Sequence, residues 1–477
     1  MNASLVGQFP KKSILAIGDL VLDSYLEGDV SRISPEAPVP VLHVEKERFV
    51  LGGAANTIAN CAHLGAHVEA VGIIGNDAPG KKLRALFSSI GVGHGGVVVD
   101  DKRPTIRKTR LVTQRQQLAR IDYEHTSDIP LSLEKKMLSQ IRKRMTKSDA
   151  VIISDYHKGT ITETLAKEVI SLARKQGIPL IVDTKPDHML WFVDATLITP
   201  NRKEASTFVG YDLDDEESVI RAGKELVEKT KSNILITLGE RGMVLMEKEG
   251  KTTAVPTQAK EVFDVSGAGD TVVAVMTLGL ASNASLSEAA ILANHAAGIV
   301  VGKVGTVAIT KDELAQVIAT GSTKVKSLPE LKKTTAFLKK QGKRIVWTNG
   351  CFDILHVGHT RYLQEAHRLG DVLILGLNTD ASVHRFKGKG RPILPERARA
   401  EVLSALSSVD YILFFDESTP IRQIKELMPD IIVKGGDYKA EDVVGFDVMK
   451  KQGGNVVIIP LIEGFSTTTL INKIRDQ

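Results

Sequence analysis

Six short apolar-rich runs recur through the first half of the chain: SILAIGD, HVEAVGIIG, DAVIISDY, IPLIVDTK, ATLITPN and NILITLG. Between several of them lie amphipathic stretches such as ITETLAKEVISLARKQG. A run that stays apolar without alternating reads as a strand buried on both faces, and such a strand needs helices above and below it. The alternation therefore predicts an α/β fold, a mainly parallel sheet covered by helices. Two segments break the pattern. VPVLHVEKERFV and TIRKTRLVTQRQQLARID alternate apolar with polar residues, as strands wet on one face do, and predict a small β lid beside the main sheet.

The same alternation restarts on a smaller scale near the C-terminus. RIVWTNG, DVLILGLN, YILFF, DIIVKGG and NVVIIP read as strands. Helices are expected after HVGH and around PERARAEVLSALS, TPIRQIKELM, EDVVGFDVMKKQ and TTTLINKIRD. A chain of 477 residues exceeds what one core usually organises. The small, polar ATGSTKVKS separates the two patterns, giving an expected first domain over 1–318, a linker over 319–327 and a second, Rossmann-like domain over 328–477. The eight basic residues between Lys324 and Arg344 read as a solvated linker and helix face.

Composition narrows the function. No window offers the roughly 20 apolar residues that cross a bilayer. MNASLVGQFPKKSILAIGD lacks the order of a signal peptide, so a cytoplasmic location is expected. Cys61 and Cys351 are the two cysteines and stand too far apart for a zinc knot. A net charge of +5 with only 5% aromatics favours anionic small molecules over nucleic acid or membrane as partners.

The most informative stretch is DVSGAGD at 264–270, which runs straight into the apolar TVVAVMTLGLA. Unpaired N–H groups where a helix begins attract anionic oxygens, and the small Gly267, Ala268 and Gly269 let a phosphate approach. Asp270 beside that anion site suits a general base acting on an alcohol; a turn with an N-capping aspartate would look the same. Earlier come Gly18–Asp19 and Asp23 after the first strand, then Gly52, Gly53 and Asn56 in GGAAN, again opening a helix. Asn201 and Glu204 follow in TPNRKE, and Thr237, Gly239 and Gly242 in TLGERG. Asp19 and Asp23 could equally cap strand ends, and Lys185 in VDTKP could face a triphosphate or solvent.

This ordered set resembles the ribokinase-like (PfkB) carbohydrate kinases over roughly residues 10–318. The resemblance implies Asp270 as catalytic base and the backbone of Gly267, Ala268 and Gly269 as anion hole. It implies Asp19, Asp23, Gly52, Gly53 and Asn56 around the sugar, Asn201 and Glu204 organising Mg2+ and phosphate (Glu204 through water), and Thr237, Gly239, Gly242 and Asn294 around ATP. The lid carries Arg107, Lys108, Arg110, Arg115 and Arg120. Such a lid suits a sugar that already bears phosphate, with Arg107 and Arg120 as contacts, or it is an edge strand guarded by charge. Lid strands in this family often pair between subunits, so a homodimer through the lid is expected.

The second half opens on TNGCFDILHVGHTRYL, with His356 and His359 three apart. Metal ligation lacks a third ligand, and a chance core pairing is the bland reading. Phosphate handling fits best, since the histidines fall where a strand–glycine loop enters a helix. The stretch resembles the HxGH signature of the cytidylyltransferase-like nucleotidyltransferases. GFSTTTLI resembles their C-terminal phosphate loop, with Ser466, Thr467 and Thr468. The resemblance further implies Asn349, Phe352 and Asp353 in the first loop, Arg397 on a helix, KGGDY before the nucleotide-binding edge, and a second ATP with Mg2+. Lys387 and Lys389 could contact phosphate from a loop.

A PfkB-type kinase joined to an HxGH transferase resembles a bifunctional family of Gram-negative bacteria. That family phosphorylates C1 of D-glycero-β-D-manno-heptose 7-phosphate and, once a separate phosphatase has acted, joins the 1-phosphate to AMP from ATP, giving ADP-heptose for lipopolysaccharide core. SRISPEAPVPV at 31–41 shares that resemblance and is expected near the sugar. The alternative is a sugar kinase fused to a CTP-dependent polyol-phosphate cytidylyltransferase.

Overall fold

The computed structural model describes residues 3–113, 116–257, 267–303, 308–320, 324–388, 390–436 and 439–460. Ser466, Thr467, Thr468, Arg115, Lys389 and residues 264–266 lie outside them. The chain divides into two compact units, Met1–Leu314 and Ala315–Gln477.

The core of the first unit is an eight-stranded sheet. In spatial order its strands are Thr252–Val255, Met243–Met246, Asn233–Thr237, Leu197–Ile198, Leu180–Asp183, Ala150–Ser154, Ser13–Gly18 and His67–Val71. The last six pair in parallel, and the first two turn back as an antiparallel edge. The predicted runs thus become parallel strands, buried except for the alternating edge strand His67–Val71, with one refinement. HVEAVGIIG splits at Gly72: His67–Val71 joins the main sheet, while Ile73–Gly75 pairs with Val98–Asp100. The helix predicted in ITETLAKEVISLARKQG runs Glu163–Gln176. Thr162 caps it by accepting the Leu165 N–H, and Gly177 stops it in the left-handed conformation. Its Leu165, Ala166, Val169, Ile170 and Ala173 face the sheet, the i, i+4 stripe that the sequence shows.

The lid is a four-stranded sheet ordered Pro40–Gly53, Leu20–Ile33, Ile106–Val112, Gln117–Tyr123. Its second strand continues directly from the first core strand and was not legible in the sequence. The distal half, EGDVSRI, is wet on both faces and carries no apolar period. The outer ends of the long hairpin are exposed, so SRISPEAPVPV forms its far tip.

The second unit holds five parallel strands ordered Tyr411–Phe415, Val372–Asn378, Ile345–Gly350, Ile431–Gly435, Asn455–Ile459. The strand order reverses beside Ile345–Gly350, which opens a crevice at the carboxyl ends of that strand and of Ile431–Gly435, the usual ligand position in such sheets. EDVVGFDVMKKQ is not one helix: a short turn at Ala440–Asp442 and a helix at Phe446–Gln452 meet at Gly445. Residues 324–326, inside the stretch expected to link the domains, instead pair with the sheet edge. The Lys326 N–H donates to the Ile412 carbonyl and the Ile412 N–H to the Lys324 carbonyl, both at 2.9 Å, and Val325 is buried. Lys324 and Lys326 bury their stems, Lys324 donating to the Leu406 carbonyl.

Candidate active sites

In the first unit the helix Ala268–Ala281 starts at Gly267, which caps it in the left-handed region. Its first internal hydrogen bond runs from the Thr271 N–H to the Gly267 carbonyl, so the N–H groups of Ala268, Gly269 and Asp270 have no partner within the helix. Gly269 is exposed, and a side chain there would meet nothing within 4 Å. The first turn, where the sequence reading expects an anion cradle, therefore faces open space at Gly269.

Asp270 is only 9% exposed. Its Oδ1 accepts from Thr57 Oγ1 at 2.8 Å and from the Tyr156 hydroxyl at 3.0 Å, and its Oδ2 from Asn56 Nδ2 at 2.6 Å. Burial pushes the carboxyl above its ordinary value, while the three donors and Lys185 pull it back. Asn56 and Thr57 come from the helix Ala54–His63, which the chain enters through Gly53. Gly53 has φ 53°, and a Cβ there would lie 2.6 Å from Val21 Cγ2 and 2.8 Å from the Asp19 carbonyl. GGAAN is thus the tight corner that delivers Asn56 to Asp270.

Asp19 was expected to face the sugar. The structure buries it completely and gives its carboxylate to a loop: it accepts the N–H groups of Tyr156, Lys158 and Thr160 at 2.8, 3.1 and 3.2 Å. It anchors the segment that carries Tyr156. A second anchor is Asp155, whose carboxylate accepts from the His157 N–H, from Thr184 Oγ1 and from His188 Nδ1, at 2.9, 2.7 and 2.7 Å. His188 in turn stacks on Trp191 at 3.6 Å.

Asn201 and Glu204 form a capping box on the helix Arg202–Val209. The free oxygen of Glu204 takes Lys185 Nζ at 2.5 Å, and that amine lies 5.3 Å from the Tyr156 ring centre. Lys185 therefore faces the site. Burial, then Asp270 and Glu204, push the neighbouring Asp183 up to about 8. Thr237 lies beside Asn201 through a parallel bridge, and Gly239 stands open. Asn294 is buried, and its amide donates to the Pro256 carbonyl at 2.7 Å, tying its helix to the end of the sheet.

The lid arginines separate. Asp23 pairs with Arg110 at 2.6 Å, and Gly52 permits it, since a Cβ there would lie 2.2 Å from Asp23 Oδ2. Arg107 lies over the Tyr123 ring at 4.3 Å. Arg120 is turned to Asp122 by two contacts at 2.9 and 3.0 Å. Arg110, rather than Arg120, is the arginine bound into the Asp23–Gly52 corner.

In the second unit His356 caps the helix Val357–Arg368, and His359 stands in its first turn. Their rings stack at 3.8 Å, and both Nδ1 atoms are buried without a hydrogen-bond partner among the described residues. Unpartnered buried polar atoms are costly and point to a missing ligand. Burial holds both imidazoles below the ordinary histidine value; His359 falls to about 4, with His356 and Lys387 adding to the effect. Phe352, at φ 43°, packs against His359 at 5.1 Å. Asp353 is buried and accepts from Arg391 Nη1 and from the N–H groups of Ile393 and Leu394, at 2.6, 2.7 and 3.2 Å. It fixes the loop below the crevice.

Arg397 is exposed on the helix Glu396–Ser404. Two residues on, and so on another face, Arg399 is fully buried and donates to the carbonyls of Leu394 and Cys351 and to Asp380 Oδ1, at 3.0, 2.6 and 2.7 Å. The sequence offers both arginines in one run, and only the helical face separates their roles. Lys434, the first residue of KGGDY, stands one residue before the end of the strand Ile431–Gly435, across the crevice from the histidine loop, and reaches the Asn349 carbonyl at 3.5 Å.

Comparison with known proteins finds a family for each half of the chain. The model of the pfkB family carbohydrate kinases matches residues 11–313, and the Cytidylyltransferase-like model matches 347–470. A "Bifunctional protein HldE" of Geobacter metallireducens is 46% identical over 96% of this chain and 95% of its own length. Another, from Aliarcobacter butzleri, is 42% identical over 98% of each. Among solved structures, a ribokinase of Arabidopsis thaliana is 19% identical with a TM-score of 0.53, covering 64% of this chain and 98% of its own. The phosphofructokinase-2 of Escherichia coli is 24% identical with a TM-score of 0.54, over 65% and 98%. These two share the fold of the first unit. The chain belongs to the bifunctional HldE proteins, enzymes in which a pfkB family carbohydrate kinase is joined to a cytidylyltransferase-like nucleotidyltransferase.

Proposed function

We propose that the first unit phosphorylates C1 of heptose 7-phosphate with ATP and that the second transfers AMP from ATP to heptose 1-phosphate, releasing pyrophosphate. The observation that carries this reading is the pairing in one chain of a buried carboxylate under an open helix start with two stacked imidazoles at another helix start, whose buried Nδ1 atoms lack a side-chain partner among the described residues. Asp270 takes the proton of the attacking hydroxyl, and the N–H groups of Ala268 and Gly269 face the transferred phosphoryl group. Lys185, held by Glu204, offers a cation on the same side as Tyr156. Arg110 and Arg107 supply the lid with guanidinium groups suited to the 7-phosphate.

Among the described residues no three His, Cys, Asp or Glu side chains come together as a metal cage. That fits magnesium, which keeps its waters and rides on nucleotide phosphates. Glu204 uses its oxygens on Lys185 and the Asn201 N–H, so its contact to the ion would run through water. Bound there, the ion neutralises charge on the phosphates.

In the second unit a sugar phosphate oxygen attacks the nucleotide α-phosphorus in line, and the bond to pyrophosphate breaks. His356 and His359 donate N–H groups to the phosphates, and Ser466, Thr467 and Thr468 hold the β and γ groups. The hairpin tip exposes Ile33 (61%) and Val39 (51%) beside Val30 and Val44, an apolar strip suited to a second copy of the lid. No described helix is long and apolar enough to cross a membrane.

The test supplies the full chain with heptose 1-phosphate and either ATP or CTP and follows pyrophosphate, then supplies heptose 7-phosphate and follows ADP. Release with ATP and little with CTP is the predicted result; a preference for CTP would overturn the assignment of the second nucleotide.

A further inference from the structure

The carboxylate of Asp270 is not symmetrically occupied. A carboxylate offers about two acceptor positions on each oxygen. Oδ1 has both filled, by Thr57 Oγ1 and the Tyr156 hydroxyl. Oδ2 has one filled, by Asn56 Nδ2, and so keeps one open among the described residues. Thr57 is fully buried, whereas Asn56 is half-buried, so Oδ2 lies on the side that a substrate can reach.

We propose that Tyr156 is a positioning residue for the first reaction, whose hydroxyl, together with Thr57, occupies Oδ1 of Asp270 and reserves Oδ2 as the atom that takes the proton from the sugar. The inference rests on the reading of Asp270 as the base. In the step, the O–H bond of the attacking hydroxyl breaks and its proton goes to Oδ2. The freed oxygen bonds to the γ-phosphorus, and the bond from that phosphorus to the β–γ bridging oxygen breaks, releasing ADP.

Tyr156 is placed for this by a dedicated scaffold. Its N–H is held by Asp19, and the neighbouring Asp155 ties the same turn to Thr184 and His188. His157, next in the chain, sits at φ 56°, outside the region most side chains prefer. Two buried carboxylates and an unusual backbone angle thus converge on one short turn, and the side chain that this turn delivers to the base is Tyr156. The other charged groups facing Asp270 are Asp183 and Lys185, at the end of one strand, and Glu204, from the next helix. Lys185 and Glu204 pair with each other, so removing the Tyr156 hydroxyl alters the hydrogen bonding of Asp270 without changing the surrounding charge.

A hydrogen bond to a carboxylate favours its ionised form. Its loss therefore moves the acid limb of the kinase pH profile upward. The experiment measures kcat, KM and kcat/KM for heptose 7-phosphate across pH with the full-length chain and its Y156F, T57V and D270N variants. For Y156F the expected result is a roughly tenfold lower kcat, a KM for sugar within about twofold, and an acid limb raised by about one pH unit. T57V empties the other position on Oδ1 and is expected to move the limb the same way, which keeps the test open should Y156F fold poorly. A limb that stays in place in both variants overturns the role of Tyr156. D270N retaining full activity would instead overturn the reading of Asp270, so the two failures are distinguishable.

Discussion

At the scale of single residues, the two stacked imidazoles make the sharpest physical statement. Two cations at 3.8 Å would repel, and burial already disfavours one, so the free protein holds both rings neutral near pH 7. A triphosphate placed against them reverses the balance. Nucleotide binding at this site is predicted to take up protons and to tighten as pH falls from about 8 to 6. Calorimetry in two buffers of different ionisation enthalpy reads the uptake, and His359→Ala should remove it. Stability moves the other way. The unfolded histidine accepts a proton below about 6.5, whereas folded His359 resists until about 4. The folded second unit therefore loses stability as pH falls through that window, and His359→Gln should flatten the pH dependence of its melting temperature. In the lid, Gly52→Ala pushes a methyl group into Asp23 and forces it off Arg110. The KM for the sugar phosphate should rise about tenfold, near the worth of one charge-assisted hydrogen bond, with a smaller change in kcat. Asp270 was legible because the small residues just before it open the same helix, and the histidines because both stand at one helix start. Tyr156 and Arg399 were not legible in that way: each acts on residues far along the chain, and nothing local distinguishes Arg399 from Arg397. Asp19 was legible as important but not in its role, because its partners are backbone N–H groups more than a hundred residues away.

At the scale of elements, helix starts and strand ends do most of the positioning. The parallel strands could be read from apolar runs because both of their faces are covered. The lid strand Leu20–Ile33 could not, because its outer half pairs edge to edge with Pro40–Gly53 but leaves its side chains exposed among the described residues. That same nakedness predicts pairing with another copy. For the proposed lid dimer, Ile33→Glu together with Val39→Glu should lower the mass seen in analytical ultracentrifugation from dimer to monomer, and a mass unchanged by the pair would exclude the hairpin as the interface. Below the second site, Asp353 is fully buried against Arg391, and it anchors the turn at Ile393 and Leu394. Removing one partner of a buried pair strands the other, so Asp353→Ala should cost about 3 kcal/mol in the unfolding of the second unit. Denaturant titration checks it.

At the scale of the whole molecule, the chain holds two units, each with its own core and its own helix start that we propose as an anion site. The expected boundary was 318 with a linker over 319–327, whereas the chain divides at Leu314/Ala315, and the pairing of residues 324–326 with the second sheet was not legible: Val325 is a single apolar residue among lysines. Each residue placed at a site here belongs to the unit that carries that site, so the two reactions should be separable by single substitutions in the intact protein. The direct measurement is of both reactions, side by side, in full-length Asp270→Asn and His359→Ala. Asp270→Asn should lose sugar phosphorylation and keep pyrophosphate release at the parental rate, and His359→Ala should do the reverse. Either variant silencing both reactions while its melting profile stays intact would contradict the account of two independent phosphate-transfer sites.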